Sequence, residues 1–178
     1  MPTTPQPPPD ICVLVLDVDG VLTDGRLPVD EQGRQLRAFH VHDGFAIRCF
    51  LELGGEVVIC SGKRSPAVDA RATELGIRHV LQGSRDKLAE IQALLPSLGV
   101  SLRNVVMVGD DLPDVPLMRA CAAGVAVASA VDEVRAAATW VTPRPGGHGA
   151  VRDAIEWLLR ADGRWNAILS RYGVAAPG

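Results

Sequence analysis

The sequence predicts an α/β protein built on a doubly wound, Rossmann-like parallel sheet, and three observations carry that expectation. Short apolar runs alternate with helix-length amphipathic segments through most of the chain. The runs at 12–16, 57–60 and 105–108 are apolar at every position, the habit of strands covered on both faces. Each then ends abruptly in polar residues, as strands do where an open sheet binds its ligand.

In chain order, the proline-rich residues 1–10 lack an apolar core and do not read as a signal peptide. They are expected to be a disordered lead-in. The first strand runs to Leu16 and is followed by the acidic turn Asp17-Val18-Asp19-Gly20-Val21-Leu22-Thr23-Asp24. Two short alternating segments around a Gly-containing turn then predict a β-hairpin over 25–39, projecting as a flap beside that turn. Asp43-Gly44 leads into a helix over 45–53 that stops at Gly54-Gly55. Strands are expected at 57–60, 79–81, 105–108, 124–127 and 140–141. Helices are expected at 66–75, 86–95, 114–122, 131–138 and 150–159, with a last helical piece near 165–172. This makes one domain over 11–162 and a tail over 163–178.

Composition narrows the partners. The net charge of −3 leaves no basic footprint for nucleic acid. No stretch approaches the roughly 18 apolar residues that cross a bilayer, so no membrane partner is expected and a cytoplasmic location is. Cys12, Cys49, Cys60 and Cys121 are scattered through apolar segments, which favours buried thiols over a metal site or disulfides. His79 reads as structural, and Trp140 and Trp157 as core; Trp165 and Tyr172 could serve packing or an interface.

Four polar clusters follow the strands: Asp17 and Asp19; Ser61-Gly62-Lys63-Arg64; Gly83 to Lys87; and Gly109-Asp110-Asp111-Leu112-Pro113-Asp114. An acidic turn alone is equally a solvated loop. In a doubly wound sheet, however, all four meet on one rim. The carboxylates would then hold a hard cation, with Mg²⁺ the commonest when phosphate is also bound, and Ser61 and Lys87 would receive an anion's oxygens.

With these motifs in this order, the chain resembles the haloacid dehalogenase superfamily of phosphotransferases. The segments 18–24, 39–44, 47–49, 109–114 and 144–152 are further similar to the 3-deoxy-D-manno-octulosonate 8-phosphate phosphatases, which lack a cap domain. The resemblance implies a Mg²⁺-dependent phosphatase acting on a sugar-acid phosphate. Asp17 would be the nucleophile that becomes an aspartyl phosphate, and Asp19 the proton donor and then base. Asp17, the carbonyl of Asp19 and Asp110 would hold the metal, with Asp111 and Asp114 outside them. Ser61 and Lys87 would grip the phosphoryl group. Asp19, His40, Val41, His42, Asp43, Gly44, Arg48, Lys63, Arg71 and Lys87 would contact the substrate. A homotetramer is implied, with Arg144, Gly146, Gly147 and Arg152 in a lid reaching a neighbouring subunit.

The chain departs from that pattern at His40, His42, Lys63 and His148, where Asn or Arg is usual. Lys cannot replace Arg's two-pronged grip on a carboxylate, and His makes the charge pH-dependent. An N-acylneuraminate or deaminoneuraminate 9-phosphate is therefore the alternative substrate. A catalytically idle assembly module is the alternative class, which the intact Asp17, Asp19, Ser61, Lys87 and Asp110 disfavour.

Overall fold

The computed structural model describes residues 4–175, and in it the first apolar run forms β1 (Val13–Leu16), one of the two middle strands of a six-stranded sheet. All four of its side chains are buried. Alongside it lie β2 (Glu56–Ser61), β3 (His79–Gln82), β4 (Val105–Gly109), β5 (Ala123–Ala126) and β6 (Trp140–Val141), every pair parallel. The order is β3-β2-β1-β4-β5-β6. The chain steps outward from β1 to β3, returns to place β4 beside β1, and steps outward the other way. The carboxyl ends of β1 and β4 thus flank the switch point, where such sheets bind ligands.

Right-handed crossovers in opposite directions send helices to opposite faces. On one face α1 (Val41–Glu52) packs against α2 (Pro66–Leu75) and α6 (Ala150–Ala161), with α7 (Arg164–Arg171) on α6. On the other, α3 (Lys87–Leu94) meets α4 (Val115–Ala120), which meets α5 (Asp132–Ala137). The fold class and the order of elements match the sequence-based expectation.

Four local expectations need correction. Helix α1 begins at Val41, one turn before Phe45, so Asp43-Gly44 lies inside it. Gly44 is there because a Cβ would sit 2.3 Å from Arg71 Nη2 on α2, so it permits close packing and does not delay the helix. The expected hairpin shrinks to one antiparallel bridge, Val29 with Gln35. Asp30 takes over the turn instead, accepting from the backbone of Gln32 and Arg34 and from Arg34 Nε. A two-stranded ribbon with no face to bury is marginal, and Asp side chains compete well for backbone donors.

The lead-in packs in its described part: Trp157 Nε1 donates to the Pro5 carbonyl at 2.7 Å, and Trp157 stacks on Trp140 with ring centroids 5.1 Å apart. Residues 1–3 of that expectation lie outside the described residues. The tail, too, belongs to the packed domain as far as α7, since Trp165 is fully buried under the guanidinium groups of Arg152 and Arg160. Tyr172, by contrast, stays exposed against the edge of Phe45.

Candidate active site

Asp17 is the first residue past β1, and its backbone N–H donates to Val108 on β4 at 3.2 Å, so the switch point itself fixes it. Asp110 is the first past β4. Lys87 is the first residue of α3, where a cation faces the positive end of the helix. Two carboxylates hold it there: Nζ lies 2.7 Å from Asp17 Oδ1 and 2.5 Å from Asp114 Oδ1. The second oxygen of Asp114 accepts from the N–H groups of Asp110 and Asp111, at 3.0 and 3.4 Å. Both its oxygens are therefore engaged, which suits the outer role expected of it. Asp111 is exposed and caps the short turn over Leu112–Asp114.

Ligand atoms of Asp17, Asp110 and Asp114 lie within 4.8 Å of one another, and Asp110 Oδ1 is buried with no partner. Once all three are ionised, the carboxylates facing one ammonium leave a surplus of two negative charges, the amount a divalent cation brings. An oxygen-only donor set of this kind suits Mg²⁺. Gly20 lets the acidic turn lie against it: at φ +100° its Cβ would fall 2.0 Å from Asp110 Oδ2.

The charges show their crowding. Burial pushes the Asp17 carboxyl up; Lys87 opposes that and Asp114 adds to it. Burial alone would lower Lys87, but Asp17 and Asp114 outweigh it and hold the ammonium above its usual range. Burial, then Asp17, Asp114 and Asp111, push Asp110 up to about 8. Folded, metal-free protein thus keeps a proton on Asp110 that the unfolded chain releases near its ordinary value of 3.8. Metal-free stability is accordingly expected to fall as pH rises from about 4 to about 8, by an amount on the order of a few kcal/mol. Mg²⁺ must displace that proton, so the rise in melting temperature on adding Mg²⁺ should grow over the same window. Thermal melts at pH 6 and 8.5 check this; equal Mg²⁺ shifts at both would contradict it.

Ser61 ends β2, buried, with its Oγ 3.3 Å from the N–H of Lys63. With Asp17, Asp19, Lys63, Lys87 and Asp110 it lines a cavity of about 600 Å³ over the carboxyl ends of the strands. Asp19 points its carboxylate to Arg37, at 2.9 and 3.2 Å, and to Lys63 at 3.6 Å. Arg37 is the residue that sequence reasoning missed. It lies in the flap, and the available hint was an Arg set between Leu36 and Ala38 in a segment leaving the acidic turn.

Of the expected sugar contacts, Lys63 joins the cavity beside Asp19 and Lys87. The remaining ones, from His40 to Gly44 with Arg48 and Arg71, do not line it. Val41, Gly44, Arg48 and Arg71 surround a separate cavity of about 340 Å³ with Tyr172, where the face of α1 that carries the first three meets α2, which carries Arg71. His40 occupies the position before α1 without a side-chain bond to the helix, edge-on to His42, and Arg71 Nη2 donates to its carbonyl at 3.4 Å. Asp43 is buried and accepts the backbone N–H of Arg152 at 2.8 Å; burial pushes its carboxyl up against that bond.

Of the residues expected in a lid, Arg144 pairs with Asp153, and Arg152 with Glu156, within this chain. Gly147 donates to Val21 at 3.0 Å, and a Cβ on Gly146 would fall 1.6 Å from the Gly20 carbonyl oxygen. These glycines allow two backbones to touch, and the segment buttresses the acidic turn from behind.

A doubly wound sheet that sets an aspartate, a hydroxyl, a lysine and a cluster of carboxylates suited to a metal around its switch point defines a haloacid dehalogenase-like hydrolase. The family model described as haloacid dehalogenase-like hydrolase matches residues 72–155. Within that class, the chain belongs to the 3-deoxy-D-manno-octulosonate 8-phosphate phosphatase family. It is 43% identical over 155 residues to the enzyme of that name from Escherichia coli (strain K12), covering 87% of this chain and 82% of the relative. The crystal structure of the Moraxella catarrhalis phosphatase, in complex with magnesium, phosphate and KDO, superposes with a TM-score of 0.89 at 36% identity, over 92% of this chain and 94% of that one. The cobalt-bound Haemophilus influenzae phosphatase gives 0.83 at 36% identity, over 86% and 90%.

Proposed function

We propose that the protein is a Mg²⁺-dependent phosphatase of 3-deoxy-D-manno-octulosonate 8-phosphate, working through an aspartyl phosphate. The observation that carries this reading is the convergence of Asp17, Lys87 and Asp110 at the switch point of a chain so similar to those relatives. Asp17 and Asp110 would hold the ion, and Asp114 steadies both Lys87 and the backbone of Asp110. The bound ion withdraws charge from the phosphoryl oxygens.

Asp17 attacks phosphorus, the bond from phosphorus to the sugar oxygen breaks, and Asp19 gives that oxygen a proton. Lys87 and Ser61 receive the charge on the transferring group. Asp19 then takes a proton from water as the water attacks the aspartyl phosphate. Inorganic phosphate leaves, and Asp17 is restored.

For the sugar, His40 to Gly44, Arg48 and Arg71 lie outside their own cavity, so we assign them to the site of a neighbouring copy in a homotetramer. Val29, Leu36 and Val41 support such a face: all three are exposed, Val41 at 71%, on the flap and the start of α1. Mass in solution tests the assembly.

The test of function is phosphate release from a panel of sugar phosphates, with Mg²⁺ and with EDTA. Metal-dependent release from the octulosonate 8-phosphate well above the nonulosonate 9-phosphates is the expected result. Preference for a 9-phosphate would move the substrate while leaving the chemistry. No release from any ester, by folded and metal-loaded protein, would reject the assignment in favour of an idle module.

A further inference from the structure

The flap returns to the active site through one side chain. Arg37 is 2% exposed, and its Nε and Nη2 each meet a different oxygen of Asp19. Lys63 approaches the same carboxylate, but it is 51% exposed and reaches only 3.6 Å. Two bonds from a planar fork fix the rotation of a carboxylate, which a single mobile ammonium cannot do. Asp19 needs such a hold, since it stands at a non-helical point of the wide turn after Asp17. Arg37 is itself delivered by a pinned loop, through the Val29–Gln35 bridge, the Leu36 N–H on the Pro28 carbonyl at 2.9 Å and the Asp30–Arg34 pair. Its other flank borders a cavity with Arg34, Arg64 and Ser65.

We propose that Arg37 is a positioning residue whose guanidinium orients the Asp19 carboxyl toward the leaving oxygen, so that the flap governs cleavage of esters with poor leaving groups. The proposal rests on Asp19 being the proton donor. In the step concerned, the bond between Asp17 and phosphorus forms, the bond to the leaving oxygen breaks, and the proton passes from Asp19 to that oxygen. A sugar alkoxide needs the proton, whereas p-nitrophenolate departs almost without it.

The test compares the wild type with Arg37→Met, which keeps an apolar stem, on a sugar-acid phosphate and on p-nitrophenyl phosphate. A positioned acid contributes roughly a hundredfold or more, so kcat/KM on the sugar ester, which reports the phosphorylation step, should fall on the order of ten- to a hundredfold. The aryl ester should lose far less in kcat/KM, while kcat, which also contains the hydrolysis step that Asp19 serves as base, falls on both. Arg37→Lys should fall between, retaining the cation and losing the fork. On an Asp19→Ala background, Arg37→Met should cost nothing further.

Equal losses of kcat/KM on both esters, or an undiminished loss on the Asp19→Ala background, would overturn the proposal. Should Arg37→Met fail to fold, Arg37→Lys gives the same ratio. The ratio can be read on any alkyl phosphate that the wild type hydrolyses. Failure of the octulosonate assignment would therefore show separately, as an inactive sugar-acid ester with the ratio intact.

Discussion

An Asp17→Asn variant is expected to lose phosphate release by at least roughly 10³-fold while remaining folded in the absence of metal. Asparagine offers no nucleophilic oxygen anion, and it removes one of the two carboxylates assigned to the ion. Stability follows different arithmetic. In the metal-free site three carboxylates face a single ammonium, and Asp17 ranks just after burial among the causes that raise Asp110. Neutralising position 17 therefore relieves repulsion, while Lys87 keeps Asp114 at 2.5 Å. Without Mg²⁺ the melting temperature should hold or rise, and the gain on adding Mg²⁺ should shrink sharply. A stalled variant that melts well below the wild type without metal would show that the Lys87–Asp17 bond outweighs the repulsion.

Lys87→Met should be the most damaging single change to the fold at this site. The ammonium is buried and bridges two buried carboxylates, and removing one partner of such a set costs about 3–5 kcal/mol. Turnover should fall by roughly 10²–10³, the usual loss when one donor to a developing anion is removed. The destabilisation should ease as pH falls, because Asp17 and Asp110, already held above their ordinary values, then take up protons. Mg²⁺ should restore part of the stability and little of the rate. Denaturant melts at two pH values separate these contributions. A loss of stability as large at pH 5 as at pH 8 would mean that packing of the lysine stem, and not its charge, is what the site loses.

The phosphoryl half of the site was legible in the sequence. Asp17, Ser61, Lys87 and Asp110 each sit where a strand or its loop ends, and strand ends can be read locally from apolar runs meeting polar residues. The parallel sheet places such ends together whatever the loops do. The sugar half was not legible in the same way. Whether His40 to Gly44 and Arg48 face the cavity depends on which side of α1 packs against α2 and α6, and the helix even begins a turn earlier than its apolar pattern suggests. Arg37 escaped notice because its role depends on the path of an irregular flap, eighteen residues of chain that loop out and return to Asp19. The glycines of 146–149 read as a hinge for a lid, and the close approach that two of them make in this chain leaves the same mark in a sequence. Pro5 meets Trp157 across 152 positions, a contact that no local pattern announces.

The interlock of Gly146 and Gly147 with the backbone of residues 20–24 bears on how a map of mutational tolerance over this chain would read. Any side chain at 146 must displace the Gly20 carbonyl, and one at 147 must displace the backbone around Thr23 and Asp24, in a left-handed conformation besides. Saturation mutagenesis scored by activity would therefore rank these two glycines with the aspartates proposed as catalytic, although neither lines the active-site cavity. Scored by abundance, the two groups should separate: aspartate variants accumulate as inert protein, and glycine variants disappear with the turn they brace.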